Sequence, residues 1–118
     1  MSDNVFWILE ATINAGQLDN LKALMSEMVD GTMRDEPGAL AYEWFITDDG
    51  KSLHLYERYA DSEAVMIHRA NFGQKYAQRF VAYLTVTKMT VYGNPSDEVR
   101  AGFRFAPTYL RPAAGFAR

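Results

Sequence analysis

Between residues 42 and 80, the sequence gathers aromatic side chains around a small number of titratable groups. The titratable side chains are Glu43, His54, Glu57 and His68, and the aromatic ones include Trp44, Tyr56, Tyr59, Phe72, Tyr76 and Phe80. Aromatic walls around a few convergent polar groups are typical of a pocket for a flat organic molecule. The sequence has no glycine-rich phosphate loop and no ligand cluster with metal-binding spacing, so no other type of site competes with this interpretation.

His68 is the first candidate for acid–base chemistry in such a pocket. It follows the apolar residues Ala64, Val65 and Ile67 on a predicted helix, and the pKa of an imidazole lies close to neutral pH. The alternative is a structural histidine, hydrogen-bonded where the helix meets a sheet. His54 lies on a predicted strand and is expected at the surface or at a subunit interface. The two histidines do not have i, i+4 spacing, so no metal site is predicted.

Glu57, Tyr76 and four other aromatic residues are further candidates for contact with a bound molecule. Glu57 lies between Tyr56 and Arg58, and as a buried acid it would either contact the ligand or pair with an arginine. The hydroxyl group of Tyr76 is suited to hold a substrate oxygen. The candidate walls of the pocket, each with packing in the core as its alternative, are Trp44, Phe72 and Phe80, together with Trp7 and Tyr76.

The composition is that of one small globular domain. The chain has 118 residues, 48% of them hydrophobic, which is enough for a core at this size. Its formal net charge is −3 and neither sign is concentrated in a patch, which argues against a nucleic-acid or membrane partner. Cysteine is absent, so disulfides and thiolate sites are excluded. The N-terminus lacks the features of a signal peptide, and a cytoplasmic location is therefore expected.

Hydrophobic periodicity predicts an α+β domain. The predicted strands are residues 5–13, 41–47, 52–59 and 85–92, and the predicted helices are 17–35, 61–71 and 74–83, with Gly73 as an interruption. The order β-α-β-β-α-β predicts a ferredoxin-like fold over residues 1–95, in which helices cover one face of a four-stranded antiparallel sheet. Residues 96–118 are predicted to form an extension that packs on its own subunit or on a partner, because disordered tails contain few aromatic residues.

The second face of the predicted sheet also needs a cover. Residues 5–9 form a continuous apolar run, so both faces of the first strand are apolar or aromatic. A twofold partner that packs sheet against sheet would cover the second face. We therefore expect a homodimer in which the aromatic extension reaches across to the partner. The alternative is a monomer whose extension folds over its own sheet.

The sequence resembles the antibiotic biosynthesis monooxygenase family, and most closely its quinol monooxygenase members. The similar stretches are VFWILEATINAG, EPGALAYEWF and YERYADSEAVMIHRANF, within a resemblance that covers about residues 4–93. The resemblance implies a dimeric α+β barrel that oxidises phenolic or quinol substrates with O₂, without a metal or flavin cofactor. It also places His68 at the family's recurrent histidine position.

The haem-degrading members of the family are a poorer match to this chain. They use an asparagine on the first strand, where this chain has Glu10 and Thr12. They also use a haem-ligating histidine on the helix after the third strand, at a position that we assign to Tyr76. Haem degradation is therefore disfavoured.

Together, these observations predict a cofactor-independent monooxygenase that oxidises a small quinol or phenol with O₂. In this prediction His68 is the base or the group that orients the substrate, and Tyr76 is a hydrogen-bond partner. The predicted substrate contacts are Trp44, Glu57, Phe72 and Phe80. Two alternatives stay open: a non-catalytic module that binds or senses a small molecule, and an isomerase or lyase that acts on aromatic metabolites.

Overall fold

The structure, a computed structural model, describes residues 2–118. Met1, the first residue of the predicted domain, lies outside the described residues. The elements in chain order are β1 (Val5–Ile13), α1 (Leu18–Asp35), β2 (Ala39–Ile46), β3 (Ser52–Tyr59), α2 (Ser62–Lys75), α3 (Ala77–Tyr83), β4 (Leu84–Tyr92), α4 (Asp97–Ala101) and β5 (Thr108–Leu110). The predicted ferredoxin-like α+β fold is confirmed. No helix within residues 2–118 combines the length and the apolarity that a bilayer crossing requires.

The sheet has the strand order β2-β3-β1-β4-β5. β1 pairs antiparallel with both β3 and β4, and β5 pairs parallel with β4, with Thr90 opposite Thr108 and Tyr92 opposite Leu110. The predicted count of four strands is therefore wrong by one. A strand of three residues leaves no periodic pattern in the sequence. It forms here because the edge of β4 offers unpaired backbone groups to the extension.

Alternation along the strands decides which side chains lie beneath the helices. In β1 the odd-numbered residues, among them Trp7 and Leu9, are buried under the helices, whereas Phe6 and Ile8 lie on the opposite face. The core is continued by Leu53, Leu55 and Tyr59 of β3, by Leu21, Leu24 and Met28 of α1, and by Met89 and Val91 of β4. Each strand therefore presents a fixed set of side chains to the space under the helices.

The helix α2 begins where the sequence predicts. Asp61 precedes it and accepts a hydrogen bond of 2.8 Å from the backbone N–H of Ala64. The helix continues through Gly73 to Lys75, and the interruption lies at Tyr76, with φ −126° and ψ −24°. The predicted interruption at Gly73 is therefore wrong. A glycine inside a helix costs only about 1 kcal/mol relative to alanine, which is too little to end a helix that packs on a sheet.

The sheet face opposite the helices is aromatic and only partly covered. The Phe6 ring stacks on Tyr92 with centroids 5.1 Å apart and meets Tyr56 edge-on at 6.3 Å. The Arg58 guanidinium lies 4.5 Å from the centroid of the Phe6 ring. Phe45 of β2, on the same face, is 55% exposed. We call this surface the open face; it comprises Phe6, Ile8, Glu10, Phe45, His54, Tyr56, Arg58 and Tyr92.

Candidate active site

A cavity of about 380 Å³ lies between the sheet and the helices α2 and α3. Its size falls within the usual range for pockets that bind small organic molecules. The sheet contributes Trp7, Leu9, Leu55 and Met89 to its lining, and the helices contribute Val65, Phe72, Ala77 and Phe80. Glu57 of β3 and His68 of α2 bring titratable groups to this apolar lining.

These two side chains belong to a buried row of charged groups that also includes Glu36. The Nδ1 atom of His68 lies 2.8 Å from Oε1 of Glu36, and its Nε2 atom lies 3.2 Å from Oε1 of Glu57. Glu36, Glu57 and His68 are 5%, 4% and 6% exposed. Each ring nitrogen therefore faces a carboxylate oxygen, and an imidazole donates from both nitrogens only in its protonated form.

The surroundings of His68 act on its pKa in opposite directions. Burial disfavours the charged form and would by itself lower the pKa of His68. Hydrogen bonds and negative charge from Glu36 and Glu57 outweigh burial and raise the pKa of His68 from 6.5 to about 9. The ring is thus an imidazolium ion at neutral pH. Of the two predicted roles of His68, base and orienter, this geometry favours the second.

Glu57 is held in one orientation by donors on two strands. The indole N–H of Trp7 donates to Oε2 of Glu57 at 2.6 Å, and the hydroxyl of Tyr59 donates to Oε1 at 2.6 Å. Trp7 and Glu57 are opposite each other in the register of β1 and β3, so the pairing of the strands sets this contact. The carboxylate accepts from these two groups and from His68, and it is therefore fixed at the cavity wall.

Glu36 is a member of the site that sequence reasoning missed. It is the residue at which α1 ends, because Pro37 disfavours the helical conformation at the preceding position. Its Oε2 atom accepts a hydrogen bond of 3.2 Å from the side-chain amide of Asn71 on α2. A glutamate just before Pro-Gly has the sequence context of an exposed helix end. Glu36 is buried only by its contact with α2, and the sequence around Glu36 does not predict that contact.

The structure places Phe72 and Phe80 on the cavity wall. Their rings meet edge-to-face with centroids 5.0 Å apart. The Phe72 ring also lies almost parallel to the imidazole of His68, at 6.4 Å. An aromatic ring that enters the cavity therefore meets an apolar wall close to the charged groups.

Trp44 and Tyr76 do not line the cavity. Trp44 packs behind Phe80, with ring centroids 6.2 Å apart. Tyr76 is 5% exposed, and its hydroxyl abuts Gly31 of α1, where a Cβ atom would overlap it. The Tyr76 ring points to α1 because the residue lies at the junction of α2 and α3. The structure therefore does not bring these two candidates together with His68 and Glu57 at the cavity.

His54 lies on the open face, away from the cavity. Its Nε2 atom is 3.4 Å from Oε1 of Glu10, which lies on the neighbouring strand. Within residues 2–118, no group of three or more histidine, cysteine, aspartate or glutamate side chains is placed to hold a metal ion.

The C-terminal extension supplies a cavity wall that the sequence did not predict. Residues 102–105 line the cavity, and the ring of Phe103 meets Trp7 edge-on at 5.6 Å. Behind Phe103 lies Tyr109 of β5, with ring centroids 6.4 Å apart. The aromatic content of the extension indicates that it packs on something. We expected the extension to reach across to a partner; within the described chain it packs on its own β4 and Trp7.

Tyr42 is a second cavity residue that was not a candidate. Its ring contacts the imidazole of His68, with centroids 5.5 Å apart. In the described chain its hydroxyl is buried and has no hydrogen-bond partner. Burial, and then the negative charges of Glu57 and Glu36, raise the pKa of Tyr42 well above its usual value. Tyr42 therefore stays a neutral hydrogen-bond donor.

Comparisons with known proteins agree on family and fold. A model of the family described as antibiotic biosynthesis monooxygenase matches residues 5–83. No curated protein matches the sequence. The structure of MupZ from Pseudomonas fluorescens is similar with a TM-score of 0.86 at 22% identity, over 100% of this chain and 91% of that chain. Rv0793 from Mycobacterium tuberculosis is similar with a TM-score of 0.60 at 27% identity, over 80% of this chain and 97% of that chain. SnoaB, a cofactor-independent oxygenase from Streptomyces nogalater, is similar with a TM-score of 0.67 at 16% identity, over 80% of this chain and 96% of that chain.

Proposed function

Because the chain belongs to the antibiotic biosynthesis monooxygenase family, we propose that it is a cofactor-independent monooxygenase that oxidises a small quinol or phenol with O₂. The observation that carries this proposal is the pair of His68 and Glu57, 3.2 Å apart, on the wall of an apolar cavity. SnoaB, a protein of the same fold, is itself described as a cofactor-independent oxygenase.

The reaction has to overcome the spin barrier between O₂ and a closed-shell organic molecule. An electron-rich anion does so by giving one electron to O₂, after which the two radicals combine. For a phenol, the balanced outcome is a quinone and water. One oxygen atom enters the ring, the other leaves as water, and the substrate supplies all of the electrons. The protein has to remove a proton, stabilise the resulting oxyanion and keep water out.

In this proposal, proton removal and stabilisation of the oxyanion are assigned to different residues of the cavity. We assign Glu57 as the acceptor of the hydroxyl proton, because Trp7 and Tyr59 fix its carboxyl group at the cavity wall. We assign His68 to the oxyanion, since an imidazolium ion in a dry site stabilises developing negative charge. Glu36 acts through His68 by keeping that ring charged and oriented.

The remaining candidates act on the shape of the cavity in this proposal. Phe72 and Phe80 hold the aromatic ring of the substrate and exclude water. Trp44 supports Phe80 from behind, and Tyr76 supports the junction of α2 with α1. Neither Trp44 nor Tyr76 is required to touch the substrate.

Oxygen uptake and quinone formation, measured with a panel of quinols and phenols, test the proposal. Glu57→Gln and His68→Gln remove one charge each, and we expect either to slow turnover by about a hundredfold or more. Glu27→Gln is the matched control, because Glu27 is an exposed glutamate that pairs with Arg79 on the helix surface. The proposal fails if no panel member consumes O₂, or if both cavity variants keep the wild-type rate.

We further propose that the protein is a homodimer in which the open faces of two subunits pack together. The support is the aromatic character of this face and the 55% exposure of Phe45. A sheet with one face under helices and an apolar second face needs a cover. In this arrangement the cavity of each subunit lies on the far side of its own sheet from the partner.

An isomerase or lyase is the second candidate, and the same pair of residues favours it. A proton donor and a proton acceptor 3.2 Å apart could also transfer a proton from one atom of a substrate to another. Product formation in the absence of O₂ would select this candidate. The third, a non-catalytic binding module, predicts that a ligand stabilises the fold without any turnover.

A further inference from the structure

Two arginines also line the cavity. Arg69 of α2 and Arg104 of the extension both line it. Nη2 of Arg69 donates a hydrogen bond of 2.9 Å to the carbonyl oxygen of Val99, and the guanidinium lies 4.9 Å from the centroid of the Phe103 ring. Gly102 packs against the guanidinium, and a Cβ atom there would occupy the same space. The Arg69 side chain is therefore held at the wall that the extension forms.

Neither arginine makes a salt bridge within residues 2–118, although the charge of Glu98 acts on Arg69 from a greater distance. No carboxylate oxygen lies within 4.0 Å of the guanidinium of Arg69 or Arg104. The exposed Arg34 and Arg79, by contrast, pair with Asp35 and Glu27 at 2.9 and 2.6 Å. Partial burial lowers the pKa of Arg69 from its usual value, which shows that the guanidinium has lost some of its water. A partly desolvated cation beside an apolar cavity is stabilised by an anion that enters it.

We propose that the molecule bound in this cavity carries a carboxylate, and that Arg69 and Arg104 bind it. This inference names the substrate class of the proposed active site. It rests on the proposed function for one point, that the substrate carries a phenolic hydroxyl group. The substrate is then an aromatic hydroxy acid. Its hydroxyl contacts Glu57 and His68, and its carboxylate contacts the arginines.

The polar side chains of the cavity favour one direction in which such a molecule binds. Both oxygens of Glu57 accept hydrogen bonds, from Trp7 and Tyr59, so this wall presents an acceptor that suits the hydroxyl of a ligand better than its carboxylate. The arginines are positive and offer planar donors that match the geometry of a carboxylate. The two groups of side chains therefore suit different parts of one molecule, which favours a single binding orientation.

Anaerobic titration calorimetry with matched acids and amides tests this inference. The pairs are gentisate with gentisamide, salicylate with salicylamide, and hydroxynaphthoate with hydroxynaphthamide; within each pair the shape is kept, and the amide lacks the charge and one acceptor oxygen. We expect wild type to bind the acid more tightly than the amide by about tenfold. Arg69→Gln and Arg104→Gln should reduce this preference, and the double variant should abolish it. Arg79→Gln is the control, because Arg79 lies outside the cavity, and it should keep the full preference.

Two further measurements keep the test decisive if Arg69→Gln does not fold. Arg69→Lys retains the charge and should retain most of the preference, and Arg104 is exposed, so Arg104→Gln can be examined in a folded protein. The inference would be overturned by any of three results. These are equal affinity for the acid and the amide within every pair, no saturable binding of any ligand, and an unchanged preference for acids in the arginine variants. Because O₂ is excluded, a preference for acids stands even if no oxidation is found. Oxidation of neutral quinols in preference to acids would support the proposed function and overturn this inference.

Discussion

Oε1 of Glu36 and Nδ1 of His68 lie 2.8 Å apart in the interior, although the two residues are 32 positions apart in the sequence. This hydrogen bond joins the end of α1 to the inner face of α2. The packing of the two helices therefore decides both the orientation and the charge of the imidazole at the cavity. Fold and site are thus linked through one contact.

Replacing Glu36 should lower the pKa of His68. Glu36→Gln keeps the shape of the side chain but removes one of the two negative charges that hold the ring protonated. We expect the unfolding free energy to fall by about 1–3 kcal/mol, since a buried charged hydrogen bond is weakened. NMR titration of the His68 ring and urea unfolding measure the two effects. Asp35→Asn, next to Glu36 but exposed and paired with Arg34, is the control. An unchanged pKa of His68 in Glu36→Gln would refute this assignment.

The stability of the protein should depend on pH through His68. Its pKa is about 9 in the folded protein and 6.5 in the reference state, so folding favours the protonated ring. The contribution, about 3 kcal/mol, is fully present below about pH 6.5 and is lost as the pH rises through about 9. Urea unfolding across this range measures it. The difference in unfolding free energy between wild type and His68→Gln should shrink as the pH rises from about 6.5 to about 9. A constant difference would contradict the prediction.

A methyl group at residue 102 should disturb Arg69 at the cavity wall. In Gly102→Ala the new Cβ atom meets the Arg69 guanidinium, so either the side chain or the extension has to move. Because the contact is with the end of a flexible side chain, we expect at most about 1 kcal/mol of lost unfolding free energy, together with weaker binding of aromatic acids. Gly73→Ala is the matched change, because nothing lies within 4 Å of its added methyl group and it lies inside α2. It should be neutral or stabilising by up to about 1 kcal/mol. Equal effects of the two substitutions would argue against the packing described here.

A charge on the open face should separate the proposed dimer. Phe45→Glu places a carboxylate on the exposed part of this face, where the sheets of two subunits would meet. Sedimentation velocity should show a dimer for wild type and a monomer for the variant, because an unpaired charge in an apolar interface is strongly unfavourable. Met33→Glu changes an equally apolar side chain, 85% exposed on α1, and should remain a dimer. A monomeric wild type would rule out the proposed assembly.

The parts of the fold that depend on local pattern were predictable from the sequence. The alternation in β1 and β3 gave the two faces, and Asp61 gave the start of α2. The parts that depend on distant contacts were not. Glu36 is buried only because Asn71 and His68 lie above it, 35 and 32 positions away. Tyr76 was misplaced because the helix passes through Gly73 and breaks three residues later, which turns the ring toward α1.

The short strand β5 attaches the segment that lines the cavity to the edge of the sheet. Residues 102–105 lie between α4 and β5, and β5 is attached to β4 over only three residues. Such a small attachment opens at a lower free energy than the core strands do. Detachment of this segment would expose Trp7, the charged row and the edge of β4 to water at the same moment. Amide exchange in β4 and release of a ligand bound in the cavity should therefore share one opening event and respond together to substitutions at Tyr109.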